Sequence, residues 1–230
     1  MTDFHPGPPV LASGPDDNGI AVLTLNRPDK KNALSIALRE EAVGILGQLA
    51  DDEALKALVI TGSGGCFSAG FDLREFAVTG PAHTKRLWRS SDQFHHAVHQ
   101  FPLPVIAAVD GVAYAGGFDL AVLCDLRIAT HRAVFAHPEA AFGPVVYGPL
   151  HDLVGGAIAR ELILTGREVD AAEALRLHLV TELTDPRQLT DRALELARQV
   201  SRAPREVLVR NKAKFTARSG ISQDTPTLDL

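Results

Sequence analysis

The chain has 230 residues, of which 46% are hydrophobic and 22% are charged, and its formal net charge at pH 7 is −5. This composition is typical of a globular protein with one full domain. The balance of charge argues against a general nucleic-acid or membrane-surface binder, and no apolar run reaches the roughly 18 residues that a membrane-spanning helix needs. Cys66 and Cys124 are expected to be buried thiols, because two isolated cysteines make neither a disulfide framework nor a zinc site.

The N-terminal segment, residues 1–17, is rich in Pro, Gly and Asp, which predicts a loose leader. It has no cationic start followed by an apolar core, so no signal peptide is predicted and the cytoplasm is the expected compartment. Residues 19–25 form a β-rich run that proline ends at position 28. From residue 34 the apolar positions repeat with a helical period, which places Leu38, Ala42, Ile45, Leu46 and Leu49 on one face. Arg39, Glu40 and Glu41 are expected to lie largely off that face.

A buried strand is predicted at residues 57–61, followed by the glycine-rich turn at 62–65. The turn fails the dinucleotide-binding fingerprint because Phe67 stands at its third position, and no G-x-S-x-G elbow occurs. A polar helix is predicted at about residues 83–100. There His95 and His99 share a face, which fits either a metal pair or a solvated or interface surface.

Residues 104–125, PVIAAVDGVAYAGGFDLAVLCD, hold the clearest functional signal in the chain. An apolar β-branched run ends at a glycine turn, and Gly116 and Gly117 then open a short apolar helix that carries one acid, Asp119. The free backbone N–H groups of such a helix N-terminus favour developing negative charge. The arrangement therefore indicates chemistry on a carbonyl group.

The rest of the chain also alternates between predicted strands and predicted helices. Short strands are predicted at 126–130 and 133–136, and helices at 155–164, at 170–177 and from 186 to about 218 with a break near Pro204. The last twelve residues are interpreted as a polar tail. Strands that alternate with helices predict an α/β fold with partly parallel sheets.

Five distinctive segments follow one another along the chain: LTLNRPDKKNALS (23–35), LVITGSGGCFSAGFDL (58–73), the run at 104–125, FAHPEAAFG (135–143) and ARELILTGREVDAAEALRLHLV (159–180). Together they closely resemble the crotonase superfamily of enoyl-CoA hydratases and isomerases. The resemblance implies a crotonase-like spiral of repeated ββα units over residues 18–185, with a shortened C-terminal helical region and tail over 186–230. It also implies a homotrimer, often paired into a hexamer.

The same resemblance assigns candidate catalytic groups. The backbone N–H groups of Phe71 and Gly116 correspond to the oxyanion hole that binds a thioester carbonyl, and Glu139 and Asp119 correspond to the two acid/base carboxylates. Asp119 stands where hydratases of the family carry glutamate, so its carboxylate reaches one methylene less far. A misplacement of about 1 Å can cost roughly a hundredfold in rate. Asp119 is therefore expected to act through a bridging water, or only to orient and polarise the substrate.

Candidate contacts to coenzyme A lie in two segments that the resemblance places near the cofactor. They are Arg27, Lys30, Lys31, Ala69, Asp72, Leu73 and Arg74. The segment after Glu139 is bulkier than the glycine-rich loop of hydratases, and its Tyr147, His151 and Asp152 are candidates for the acyl pocket. His151 is a possible additional acid/base group, although a surface or helix-cap position fits it equally well.

The expected reaction acts on an acyl-CoA thioester through an oxyanion-stabilised enolate. Hydration of a 2-enoyl-CoA is the first choice, because both acid positions hold carboxylates. The alternatives are Δ3,Δ2-enoyl-CoA isomerisation, carbon–carbon hydrolysis of a β-diketone type, and acyl-CoA binding without turnover. No metal or redox cofactor is expected, since coenzyme A enters as part of the substrate.

Overall fold

The computed structural model of the chain describes residues 7–141, 143–222 and 224–230, so the first six residues of the predicted leader lie outside it. The main sheet contains, in spatial order, β1 (Val10–Ser13), β2 (Ile20–Leu25), β3 (Ala57–Gly62), β4 (Val105–Val109), β6 (Leu126–Thr130) and β9 (Glu182–Thr184). A smaller sheet contains β5 (Val112–Tyr114), β7 (Val134–Ala136) and β8 (Val169–Asp170). The helices are α1 (Ile36–Asp51), α2 (Leu73–Phe76), α3 (Pro81–His99), α4 (Gly116–Leu123), α5 (Gly148–Val154), α6 (Gly156–Thr165), α7 (Ala171–Arg176), α8 (Leu189–Val200) and α9 (Arg205–Ser219).

The chain winds through a repeated unit of two strands and a helix. In the clearest turn, β4 lies in the main sheet, β5 lies in the small sheet, and α4 follows. The preceding turn has the same order, because Ser68 after β3 forms a single parallel bridge to Ala113 in β5 before α3 begins. The neighbouring pairs from β2 to β9 in the main sheet are all parallel. The predicted α/β spiral of ββα units is confirmed.

The main sheet is buried on both faces, which explains why its strands read as continuous apolar runs. On one face Val59, Ile106 and Ile128 pack against Ala193 of α8. Alternate residues of the same strands point to the opposite face, where they join the larger core with α1, α3 and α4. Within the described ranges, no helix combines the length and the apolar content needed to cross a membrane.

Two local predictions need correction. Part of the leader is ordered, because Val10–Ser13 pairs antiparallel with β2 and the side chain of Val10 is buried at the sheet edge. The C-terminal tail also packs onto the core: Thr227 and Leu230 are buried, and Asp92 accepts hydrogen bonds from the N–H and the hydroxyl of Thr227. Burial of these few side chains gives short polar segments a fixed position.

Three of the four histidines of α3, His95, His96 and His99, hold this C-terminal segment, and these contacts account for them without a metal pair. His95 Nδ1 lies 3.3 Å from the Thr227 hydroxyl, and His96 Nε2 lies 2.7 Å from the Thr225 carbonyl. His99 Nε2 bonds the Ser219 hydroxyl. The shared face is therefore a packing surface within the chain. Both cysteines are free and buried, as predicted.

A buried arginine fixes the C-terminal end of α4. The Arg127 side chain donates to the carbonyls of Ala121 and Cys124 at the end of the helix and to the Leu179 carbonyl, the last at 2.8 Å. Only 3% of Arg127 is exposed. A cation at this end also complements the helix dipole. The N-terminal end of α4, where Gly116 and Asp119 lie, is thereby held in a fixed position.

Replacing Arg127 with methionine is expected to lower the free energy of unfolding by about 3 kcal/mol, because several buried carbonyls lose their donor at once. Urea unfolding at neutral pH measures this change. The matched control is Arg192→Met, which removes exposed ion pairs to Glu182 and Glu195 and is expected to cost much less. Equal losses in the two variants would contradict the role given to Arg127.

Candidate active site

Two backbone segments approach each other closely at the centre of the molecule. The loop after β3 is held on one side by a hydrogen bond from the Leu34 N–H to the Gly70 carbonyl, at 2.8 Å. On the other side the Tyr114 N–H donates to the Ser68 carbonyl at 3.0 Å. The loop is thus wedged between the segment before α1 and the end of β5.

Glycine at position 70 makes this approach possible. Its φ is +84°, and a Cβ placed there would lie 2.7 Å from the Tyr114 carbonyl oxygen and 3.2 Å from the Gly116 nitrogen. A side chain at this position would therefore collide with backbone atoms in an already unfavourable conformation. The short approach places the backbone on either side of Gly70 beside the start of α4.

The N–H groups of Phe71 and Gly116 are both available at this junction. Within the described parts of the chain, no hydrogen bond uses either of them as a donor. The residue before α4, Ala115, has φ 53° and ψ −129°, and its own N–H donates to the Ala136 carbonyl at 2.9 Å. That strained backbone conformation turns the first N–H groups of the helix away from the preceding strand. The two residues predicted from the sequence for an oxyanion hole are thus brought together.

A buried cation supports Phe71 from behind. The guanidinium of Arg39 lies 4.7 Å from the centroid of the Phe71 ring, and the His95 ring packs edge-on at 6.3 Å. Arg39 is fully buried and donates to the Leu34 carbonyl and the Ser90 hydroxyl. Burial lowers its pKa to about 10, so the group stays charged at neutral pH. The periodicity of α1 places Arg39 largely off the apolar face, and that expectation is wrong.

The two predicted carboxylates meet across a histidine that sequence reasoning missed. Asp119 lies in the first turn of α4, and Glu139 lies in a 3-10 turn, Pro138–Ala141, just after β7. Between them His137 Nε2 is 2.8 Å from Asp119 Oδ1, and its ring stacks on Phe118 with centroids 4.6 Å apart. Asp119 and His137 are 5% and 1% exposed. The only sequence signal was the position of His137 inside the FAHPEAAFG segment, at the end of a strand.

Burial and neighbouring charges shift the pKa values of Glu139 and His137. Burial raises the pKa of Glu139 to about 7; the nearby His137 opposes this rise and Asp119 adds to it. One of its oxygens, Oε2, is buried without a hydrogen-bond partner among the described residues. Burial also opposes charging of His137, but the hydrogen bond and the charge of Asp119 outweigh it and raise the pKa of His137. The cluster therefore holds a hydrogen-bonded Asp119–His137 pair beside a glutamate that keeps its proton to higher pH than usual.

The spacing of these three side chains also bears on metal binding. One ligand-type atom from each residue lies within 4.8 Å of the others. The direct bond between His137 and Asp119 accounts for their closeness without an ion, because 2.8 Å is an ordinary charge-assisted hydrogen-bond distance. The arrangement is therefore described best as an acid/base cluster.

The bulky segment after Glu139 does not extend this cluster. Its residues form α5, where His151 Nδ1 lies 3.2 Å from Asp152 Oδ1 and the Tyr147 ring packs 5.4 Å from the His151 ring. In the portion of the chain that is described, no hydrogen bond links either ring to Glu139. The structure therefore gives His151 its surface position and not the additional acid/base position; Phe142 lies outside the described residues.

The predicted phosphate-binding cations divide into two groups. Arg27 and Arg74 both turn to Asp72, at 3.0 and 2.8 Å, so the network holds the loop after Phe71 in place. The hydrogen bonds from Arg74 and Arg27 keep the pKa of Asp72 well below its usual range, although burial opposes them. Lys30 and Lys31 remain exposed at the surface. Arg74 is exposed as well, but its guanidinium is paired with Asp72, and the Lys30 Nζ lies 3.8 Å from Asp29 Oδ2.

The other two predicted coenzyme A contacts lie on the same loop. Ala69 is half-buried, and its N–H donates to the Lys31 carbonyl at 2.9 Å. Leu73 opens α2 and is 76% exposed. A large apolar side chain exposed next to a charged network is available for contact with a ligand.

Replacing Glu139 with glutamine tests the raised pKa without any substrate. The wild-type carboxyl keeps its proton in the folded state up to pH of about 7, whereas the unfolded chain releases it near 4.5. The unfolding free energy of the wild type is therefore expected to fall relative to Glu139→Gln as pH rises from 4.5 to 7. Above pH 7 the change in unfolding free energy of the wild type relative to Glu139→Gln levels off at about 2 kcal/mol, a value reduced for the partial solvent exposure of Glu139.

Chemical denaturation between pH 4 and 9 measures that difference. The control is Glu206→Gln at an exposed position of α9, for which no such pH-dependent gain is expected. A constant difference between wild type and Glu139→Gln across the range would contradict the raised pKa.

Comparison with known proteins identifies the family. The enoyl-CoA hydratase/isomerase family model matches residues 16–229. Short-chain-enoyl-CoA hydratase from Clostridium acetobutylicum is 35% identical over 200 residues, which cover 84% of this chain and 77% of that protein. 4-Chlorobenzoyl coenzyme A dehalogenase-2 from Arthrobacter sp is 33% identical over 205 residues, which cover 85% of this chain and 74% of that protein.

Solved structures agree with this assignment. Enoyl-CoA hydratase from Bacillus anthracis superposes with a TM-score of 0.86 at 30% identity, over 93% of this chain and 84% of that one. Enoyl-CoA hydratase from Mycobacterium smegmatis gives 0.85 at 34% identity, over 94% and 85% of the two chains. The protein belongs to the enoyl-CoA hydratase/isomerase family of enzymes, within the crotonase superfamily.

Proposed function

We propose that the protein hydrates a 2-enoyl-CoA thioester to the 3-hydroxyacyl-CoA. The observation that carries the proposal is one cluster with two carboxyl groups, Asp119 and Glu139, beside two N–H groups that make no hydrogen bond to the described residues: that of Gly116 on the same helix as Asp119, and that of Phe71 on the loop after β3. The similarity to a short-chain-enoyl-CoA hydratase supports the same reaction. Hydration needs both a base for water and an acid for carbon, and two carboxyl groups can supply them.

The N–H groups of Phe71 and Gly116 would both donate hydrogen bonds to the thioester carbonyl oxygen. As the enolate forms, negative charge develops on that oxygen, and preorganised backbone donors are worth about 3 kcal/mol each. The dipole of α4 adds a favourable potential at its N-terminus. Arg39 behind Phe71 keeps the loop from collapsing into the space that the carbonyl needs.

Proton transfer divides between the two carboxyl groups. Asp119, held as a carboxylate, takes a proton from water while the water oxygen forms a bond to the β-carbon. The electrons of the carbon–carbon double bond move toward the thioester, and Glu139 then gives its proton to the α-carbon. Water has been added across the double bond, and the proton on Asp119 returns to Glu139 through solvent before the next turnover.

Double-bond isomerisation is the second candidate, because a specific contact favours it. Asp119 Oδ1 is already hydrogen-bonded to His137, whereas Oε2 of Glu139 has no hydrogen-bond partner among the described residues. A single carboxyl group that takes a proton from one carbon and returns it to another is enough for a Δ3,Δ2 shift. Carbon–carbon hydrolysis loses its main support, because His151 does not join the cluster.

The other predictions concern the surroundings of this chemistry. We propose that the phosphates of coenzyme A lie near Lys30 and Lys31, the two exposed cations of the predicted set that are not paired with Asp72. Coenzyme A is then bound as part of the substrate, with no other cofactor. A homotrimer or hexamer and a cytoplasmic location stay predictions.

Purified protein is expected to convert a 2-enoyl-CoA in heavy-oxygen water to a 3-hydroxyacyl-CoA that carries one heavy oxygen, as measured by mass spectrometry. The Glu139→Gln variant is expected to lose at least about a hundredfold in kcat, because general acid catalysis is removed. Glu206→Gln is the matched control and should retain wild-type turnover. Treatment with EDTA should also leave the rate unchanged.

A double-bond shift of a 3-enoyl-CoA without label would favour isomerisation and contradict hydration. Tight binding of each thioester with no product from any of them would contradict both reactions and leave acyl-CoA binding as the function.

A further inference from the structure

The least expected group in the cluster is His137, a buried imidazole between two carboxyl groups. We propose that His137 is a positioning residue: its Nε2 bonds Asp119 Oδ1 and holds that carboxyl group in place, so that Asp119 serves as the base and Glu139 as the acid. This inference rests on the proposed function for its catalytic consequence. Its structural part, which is the bond between His137 and Asp119 and the effect of that bond on the pKa of His137, can be tested without turnover.

The packing leaves His137 little freedom to turn. Its ring stacks on Phe118, which in turn packs against Phe135 with ring centroids 5.5 Å apart. The His137 carbonyl accepts the Ala140 N–H at 3.1 Å. Its position is therefore set from α4, from β7 and from the 3-10 turn at once. A side chain fixed on all sides can fix its hydrogen-bond partner as well.

Counting the charges in the cluster explains how the two carboxyl groups differ. Asp119 on α4 and Glu139 on the 3-10 turn are the charged groups that act on His137. On α3, His95 faces Asp119, but burial lowers the pKa of His95, so it adds no cation at neutral pH. One imidazolium can neutralise one carboxylate. The carboxyl group that His137 contacts directly is Asp119, whereas burial raises the pKa of Glu139 to about 7, so a large share of Glu139 carries its proton at neutral pH.

The pair also addresses the short reach of Asp119. A carboxylate that bonds a fixed N–H through Oδ1 has its other oxygen held in a defined direction. The shorter side chain of Asp119 then costs less in rate, because its carboxylate is already held in one rotamer. Orienting partners of this kind are worth about tenfold to a hundredfold in activity when removed.

The effect of Asp119 on the pKa of His137 can be measured without any substrate. In the full chain labelled with ¹⁵N-histidine, NMR reports whether both nitrogens of the His137 ring carry protons. We expect the pKa of His137 in the wild type, followed as a function of pH, to lie above the usual histidine value and to fall in Asp119→Asn, where the charge of the acceptor is removed. A pKa that is not raised in the wild type, or that does not change in the variant, would overturn the proposal.

The catalytic part is tested by the pH dependence of kcat/KM in His137→Gln. Glutamine keeps an N–H donor but removes the cation, so the pKa of Glu139 should rise and the alkaline limb of the profile should move to higher pH. A fall in kcat of about tenfold to a hundredfold is expected. The exposed His131→Gln variant is the control and should reproduce the wild-type profile.

The outcomes separate the two proposals. If the activity of His137→Gln falls equally at all pH values and neither limb of its pH profile moves, His137 has only a structural role. That result would overturn this inference and leave the proposed hydration unaffected. A raised pKa of His137 that depends on Asp119, in a protein that hydrates no 2-enoyl-CoA, would support the structural part of this inference and overturn the proposed function. Circular dichroism of each variant identifies any that fails to fold, and the Asp119→Asn measurement then decides the structural part.

Discussion

The close contact between the loop at Gly70 and the start of α4 is the constraint on which the rest of the site depends. A Cβ at position 70 would meet the backbone of Tyr114 and Gly116, so the two segments can approach only because the residue is glycine. This approach brings together N–H groups that belong to different ββα units. It also sets where α4 begins, and hence where Asp119 lies.

Buried charges hold the elements around this contact in place. Arg39 supports Phe71 from behind, and Arg127 fixes the far end of α4. His137 connects α4 to the turn that carries Glu139. Each cation finds its partners inside the protein, so little rearrangement is needed when a substrate develops charge. Burial also raises the pKa of Glu139, which suits this residue to the role of acid in the proposed reaction.

Much of the fold could be predicted from the sequence, because local pattern determines it. Apolar β-branched runs mark β3 and β4, and the cap at Asp170 marks α7. The pairing of Phe71 with Gly116, and of Asp119 with Glu139, followed from a family resemblance and not from local pattern. His137 and Arg39 were missed, since a histidine beside a proline or an arginine on a helix reveals nothing of partners far away in the chain. The β1 strand was missed for the same reason, because its partner β2 stabilises a segment of weak propensity.

The most direct test of the central contact is the stretching frequency of the thioester carbonyl in a bound, ¹³C-labelled 2-enoyl-CoA. Two N–H donors should lower this frequency in the wild type and in Gly80→Ala, a glycine that also has positive φ but an open Cβ position. In Gly70→Ala the added Cβ crowds the Gly116 nitrogen, and the shift should be lost. An unshifted carbonyl in the wild type, or an equal shift in Gly70→Ala, would contradict the account.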